Sequence, residues 1–169
     1  MSVAEKLDER RLAAWRALLA SHAALVGRLG EELQDEKGLP LPWYEVLLWL
    51  NQAPDGRLRM GELADSLLLT PSGVTRLVDR MEAEGLVQRQ QCPSDRRGWH
   101  AVMTPAGRAR LRSAAPVHLR GVERHFGRHL TDDEADLITD VLGRVLQDVS
   151  PDTAARVCAP VKVPVSAKR

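Results

Sequence analysis

Cysteine is nearly missing from these 169 residues: Cys92 and Cys158 lie too far apart for a C-x-x-C site and are too few for a disulfide framework, which fits a reducing compartment. An excess of charge of one sign is missing too. Lys+Arg 24 against Asp+Glu 23 leaves a formal net charge of +1, which excludes a bulk polycation held to nucleic acid or membrane by net charge alone. Any basic surface must be local. No apolar run approaches the roughly 20 residues of a membrane-spanning helix. Met1 to Lys6, followed by Asp8, Glu9, Arg10 and Arg11, does not resemble a signal peptide, so the expected location is cytoplasmic, with no membrane partner. Signatures of catalysis are absent as well: there is no G-x-S-x-G, no glycine-rich phosphate loop and no H-E-x-x-H. The one Asp/His/Ser set, Asp95, His100 and Ser94, falls on a predicted hairpin that offers no pocket. Neither an enzyme nor a cofactor is expected. Lysine is scarce, 4 against 20 arginines, which reflects a GC-rich genome as readily as a function.

What is present suits one compact domain, or one domain with an extension: 44% hydrophobic and 28% charged residues in 18.7 kDa. From Leu12 to Leu33 the apolar residues form heptads, with Leu12, Leu19, Val26 and Leu33 at one seam position and Trp15, His22 and Leu29 at the other. This predicts a long first helix. Gly38, Pro40 and Pro42 break the pattern, and Trp43 to Leu50 starts a short, apolar second helix that belongs in a core. Arg57 to Met60 alternates like a brief strand, and Gly61 to Leu67 reads as a third helix. The fourth has the best-defined start. Thr70 is placed to cap it, Pro71 takes the first position, where no N–H is needed, and Leu69 and Val74 are spaced as a hydrophobic staple. At 100° per residue Val74, Leu77, Val78 and Met81 share one face; Ser72, Thr75, Arg76 and Asp79 share the other, flanked by Gly73 and Arg80. Gly85 ends the helix near Glu84.

Leu86 to Gln91 and Trp99 to Met103 then read as a hairpin with Arg96 and Arg97 at its tip. Thr104-Pro105 opens a helix towards Phe126, kinked or divided by Pro116, and Thr131 with Glu134 makes a capping box for a last helix bearing Leu137, Val141 and Val145. Pro151, Pro160 and Pro164 predict an irregular tail over 149–169. The fold class is mainly α with a small β-hairpin wing, in the element order of a winged helix-turn-helix whose Thr70 to Glu84 helix would enter a major groove. Ser72 and Gly73 allow close backbone approach and phosphate binding at the helix start, and Thr75 and Arg76 reach base edges, Arg most readily guanine. Arg96 and Arg97 would lie over the adjacent minor groove or its phosphates. Between Thr70 and Arg112 eight arginines (76, 80, 89, 96, 97, 108, 110, 112) stand against four acids (Asp79, Glu82, Glu84, Asp95), a local +4 that leaves −3 for the rest. The alternative, a solvated and salt-bridged face, holds for any one of these arginines more easily than for the set.

The stretch T-P-S-G-V-T-R-L-V-D-R-M-E-A-E-G-L-V-Q-R from Thr70 to Arg89, D-R-R from Asp95 to Arg97 and M-T-P-A-G-R from Met103 to Arg108 resembles the MarR (multiple-antibiotic-resistance regulator) family, over roughly Leu7 to Gln147. The resemblance implies a sequence-specific, ligand-responsive regulator, most often a repressor, acting as a homodimer on a pseudo-palindrome of double-stranded DNA. It implies a first dimerisation helix over 7–36, a DNA-binding lobe over 41–103 and C-terminal dimerisation helices over 104–148. Carried over by position, Ser72, Gly73, Thr75, Arg76 and Arg80 match recognition-helix contacts, Arg97 and Arg96 the wing arginines, and Asp95 the acid that orients the wing. It also implies a small-molecule effector in a cleft between the dimerisation helices and the lobe, where Trp15, His22, Tyr44 and Trp49 could contribute. On its own residues His22 reads more readily as a core or interface histidine than as a ligand group, and Trp43, Tyr44 and Trp49 at helical spacing more readily as core than as a ligand cage. Two departures stand out: Ser66-Leu67-Leu68-Leu69 occupies a turn where the family usually carries a glycine, and the wing starts with Cys92-Pro93 and carries Trp99 beyond its tip. The alternatives are a helical protein-interaction module without specific DNA binding, a zinc sensor using His118, His125 and His129, and a thiol sensor using Cys92 beside Arg96 and Arg97.

Overall fold

The computed structural model describes residues 8–53, 55–92 and 95–157. The elements are α1 (Glu9–Lys37), α2 (Leu41–Gln52), β1 (Arg57–Arg59), α3 (Met60–Leu67), α4 (Pro71–Ala83), β2 (Val87–Cys92), β3 (Asp95–Met103), α5 (Pro105–His125), α6 (Asp132–Val149) and α7 (Pro151–Val157). A short 3-10 turn, Gly127–His129, joins α5 to α6. No helix among the described residues is long and apolar enough to cross a membrane.

Helix starts follow local chemistry. The Oγ1 atoms of Thr70, Thr104 and Thr131 accept the backbone N–H of Gly73 (3.1 Å), Gly107 (3.0 Å) and Glu134 (3.3 Å), satisfying donors that the first turn leaves open. In the last case the Glu134 carboxylate accepts the Thr131 backbone N–H in return, at 2.8 Å, which holds its pKa below the usual carboxylate range. Two proline expectations, at Pro42 and Pro151, are corrected, and at Pro116 one of the two alternatives is removed. Pro42 lies in the first turn of α2, which begins at Leu41 rather than Trp43, because a proline there gives up no helical hydrogen bond. Pro116 sits inside α5 without dividing it. Pro151 opens α7 where an irregular tail is expected; Ser150 donates to Thr153 Oγ1 at 2.8 Å, and Thr153 and Ala154 are buried. The rest of that tail, with Cys158, Pro160 and Pro164, lies outside the described residues.

The three strands form an antiparallel sheet in the order β1-β3-β2. Val87 pairs with Met103, Arg89 with Ala101 and Gln91 with Trp99, and then the register jumps so that Cys92 faces Asp95. Arg96, Arg97 and Gly98 are therefore a bulge of β3. The arginines belong to a strand rather than to a loop tip, which corrects the hairpin expected from sequence; their side chains, and Pro93 and Ser94, lie outside the described part.

One core gathers Tyr44, Val46, Leu47 and Leu50 of α2, Leu63 of α3, Val74, Val78 and Met81 of α4, Val87 and Ala101 of the sheet, and Leu111 and Ala114 of α5, with Leu33 from α1. At the start of α5, a Cβ on Gly107 would stand 2.1 Å from the Leu86 carbonyl oxygen, so only glycine permits this approach. Thr104 Oγ1 donates there to the carbonyls of Gly85 (2.7 Å) and Leu86 (3.0 Å). The end of α4, the start of β2 and the start of α5 are thereby tied at one point.

Candidate nucleic-acid interface

The two faces of α4 are those its periodicity predicts. Val74, Leu77, Val78 and Met81 are buried, whereas Ser72, Thr75, Arg76, Asp79 and Arg80 are exposed and Gly73 is half-buried. The helix is held by its apolar side, which leaves the polar and basic side free to face a groove. Thr75 Oγ1 donates to the Pro71 carbonyl at 2.8 Å. With that donor engaged, Thr75 offers a methyl group and an acceptor, which suits a thymine methyl better than a base acceptor. A Cβ on Gly73 would come within 3.2 Å of Thr70 Oγ1, so a larger residue there would press on the cap.

Behind this face stands an arginine that sequence reasoning counts only as charge. On β2, Arg89 forms an ion pair with Asp79, donates to the Thr75 carbonyl at 3.0 Å, and through its backbone N–H donates to Glu82 Oε1 at 2.8 Å. It fastens the wing to the recognition helix. Arg110 likewise turns inward, donating to the Gly38 carbonyl at 3.1 Å and to the Lys37 carbonyl at the end of α1. The local +4 thus overstates the surface: two of its eight arginines serve the fold, and Asp79 is neutralised by one of them.

In the wing, Asp95 forms an ion pair with Arg59 of β1 at 3.7 Å, and Arg59 Nη2 also donates to Cys92 Sγ at 3.4 Å. The acid expected to orient the wing is therefore anchored through Arg59, a residue sequence reasoning misses because no motif links positions 36 apart. Cys92 is buried, and among the described side chains Arg59 is the cation that donates to it. This differs from the exposed thiol that the thiol-sensor alternative needs.

The four candidate ligand residues sit in different surroundings. Tyr44 is closed into the core against His118, ring centroids 4.4 Å apart, and burial pushes its phenol up to about 12. Trp49 is half-buried against the same core, while Trp15 and His22 are exposed along α1. Glu45 of α2 senses His22: burial raises its pKa and the histidine's charge opposes the rise. The histidines of the zinc alternative are dispersed. His118 meets Tyr44, His125 Nε2 donates to Glu32 Oε1 at 2.8 Å, and His129 accepts from Arg128 Nε at 3.3 Å. Among the described residues no group of three His, Cys, Asp or Glu could hold a metal ion.

The sequence model described as "MarR family" matches residues 37–98, from the end of α1 to the wing. A Bacillus subtilis protein described as the HTH-type transcriptional repressor YetL is 29% identical over 114 residues, 68% of each chain. Two solved structures from Streptomyces coelicolor, both described as MarR family transcriptional regulators, extend the likeness to 86% of this chain at 32% identity. AbsC matches with a TM-score of 0.78 over 97% of its own chain, and Sco3205, solved in complex with DNA, with 0.79 over 94%. Helix, wing and flanking helices therefore agree in sequence and in shape, and the chain belongs to the MarR family of DNA-binding transcriptional regulators.

Proposed function

We propose that the chain is a cytoplasmic, homodimeric repressor that occupies a pseudo-palindromic operator and releases it when a small molecule binds. The observation that carries this reading is the division of α4 into a buried apolar face and an exposed face bearing Ser72, Thr75, Arg76 and Arg80. Ser72 and Gly73 approach phosphate at the helix start, Thr75 and Arg76 read bases, Arg80 supports them, and Arg96 and Arg97 cover the neighbouring minor groove from a wing that Asp95 holds. The naming of YetL as a repressor and the structure of Sco3205 on DNA support the same reading.

Assembly is supported by apolar residues left open to water. Leu12, Trp15, Leu18, Leu19 and Val26 of α1 and Leu137, Val141, Val145 and Val149 of α6 are between 38% and 70% exposed. Covering them with a second copy gives residues 7–36 and 104–148 a dimerisation role and leaves 41–103 as the DNA-binding lobe. Two-fold symmetry then sets half-sites about 10 bp apart. The effector cleft is assigned to the border of these regions, with Trp15, His22 and Trp49 contributing once α1 is covered, and Tyr44 held in the core behind it.

The test is selection of genomic fragments at near-physiological salt by the wild-type protein and by the Arg76→Ala/Arg97→Ala double variant. A palindrome enriched by the wild type alone is the expected result; equal enrichment by the variant would overturn the assignment. Singly, Arg76→Ala should shift the preferred sequence at a cost of about 1–3 kcal/mol at one base, and Arg97→Ala should weaken all sites evenly.

A further inference from the structure

We infer that Trp99 is an additional DNA contact, packing against the sugar-phosphate backbone where it passes between the recognition helix and the wing. Side chains alternate along β3, and Trp99 lies on the same sheet face as Ala101 and Met103, both buried over the core. At position 99 that face has run past the core. Trp99 is 46% exposed, and it lines a cleft of about 430 Å³ together with Met60, Thr75 and Arg89. A second hollow, of about 400 Å³, is lined by Met60 and Trp99 again, with Arg59, Glu62, Asp65 and Gly98; its two acids leave the first cleft as the one that suits a phosphate strand. The indole therefore borders two hollows, one against the recognition helix and one against the start of α3 and Gly98 of the wing bulge.

The location limits what can enter. The inference rests on the DNA-binding reading above: with α4 in a major groove and the wing over the adjacent minor groove, one backbone strand separates the two grooves and must cross between these elements. That strand offers apolar deoxyribose and phosphate oxygens. Trp99 offers an apolar face and a single donor, Nε1–H, which is the matching pair of groups. The cleft adds little charge of its own, because Arg89 is already paired with Asp79. Such a contact is blind to sequence, and, carrying no charge, it displaces no counterion. It fixes the register of the protein on the duplex, where Arg76 selects the sequence.

These properties give Trp99 a signature distinct from that of the arginines. The full chain, as wild type, Trp99→Leu and Trp99→Phe, is titrated with a duplex carrying the selected palindrome and with a shuffled duplex, over a series of salt concentrations. Trp99→Leu should weaken binding to both duplexes by the same factor, about tenfold, with an unchanged slope of log affinity against log salt. Trp99→Phe, which keeps a ring but loses the donor, should fall between the two, with unaltered thermal unfolding. Tryptophan emission should change on DNA addition in the wild type, and this component should vanish in Trp99→Phe. The inference is overturned if both variants bind like the wild type, if the loss is confined to the palindrome, if the salt slope falls, or if the emission change survives in Trp99→Phe. Should the wild type bind neither duplex, the DNA-binding reading itself has failed; binding by the wild type that both variants match removes the role of Trp99 alone.

Discussion

Leu68 carries a φ of +53° and is the one described non-glycine residue with positive φ, in the turn where the family resemblance leads one to expect glycine. The turn is not reshaped by the missing glycine. It keeps the left-handed conformation, with the Leu69 N–H reaching the Ala64 carbonyl at 3.0 Å, and a branched side chain absorbs the strain. That side chain is 79% exposed, so it gains little by burial in return. Leu68→Gly should raise unfolding stability by about 1 kcal/mol, the relief of the left-handed strain outweighing the extra chain entropy of glycine. Denaturant midpoints at fixed protein concentration measure this, and a fall in the midpoint would show that Leu68 is covered in the assembled protein. The sequence reveals that a glycine is missing here. Whether the backbone or the side chain gives way depends on the rigidity of the two helices that flank the turn, and only the structure shows it.

At the scale of elements, the helix starts are legible because their signals lie within four residues: Thr70 with Pro71, Thr104 with Pro105, and Thr131 with Glu134. The division of α4 into two faces is legible for the same reason, since it follows from the period of the helix. Long-range fasteners are not. Arg89 bridges to Asp79 and Thr75, 10 and 14 residues away, and Arg59 reaches Cys92 33 residues away, by contacts that exist only after the sheet has formed. Pro151 is misread because a proline that stops one helix is chemically the same as one that starts the next. The fastener makes its own prediction. Arg89→Ala should lower stability by about 1 kcal/mol and weaken DNA binding across sequences without changing the preferred one, because the wing and α4 are no longer held together. Arg89→Lys should recover only part of this, since an ammonium cannot serve the Asp79 carboxylate and the Thr75 carbonyl with one planar fork. Parallel unfolding and binding titrations test both; a changed sequence preference would place Arg89 at the bases instead.

For the molecule as a whole, the proposed dimer along the open apolar stripes of α1 and α6 would make the concentration of the protein a variable of its function. Light scattering should find two copies per particle. Leu19→Arg with Val145→Arg should yield single chains whose operator affinity falls by far more than tenfold, since each then binds one half-site without the effective concentration supplied by its neighbour. A double variant that stays dimeric would locate the contact elsewhere. Between stripe and wing runs α5, 21 residues or about 31 Å of unbroken helix. Its first turn is tied through Thr104 to the end of α4, and further along Arg120 and His125 grip Glu36 and Glu32 of α1. In mechanical terms α5 is a lever arm with a bearing at each end. A tilt of about 5° over that length moves the far end by about 3 Å, close to the rise of one base pair. In the proposed dimer, a displacement of that size at one end, repeated in the opposite sense by the second protomer, would take two recognition helices out of step with consecutive turns of the duplex.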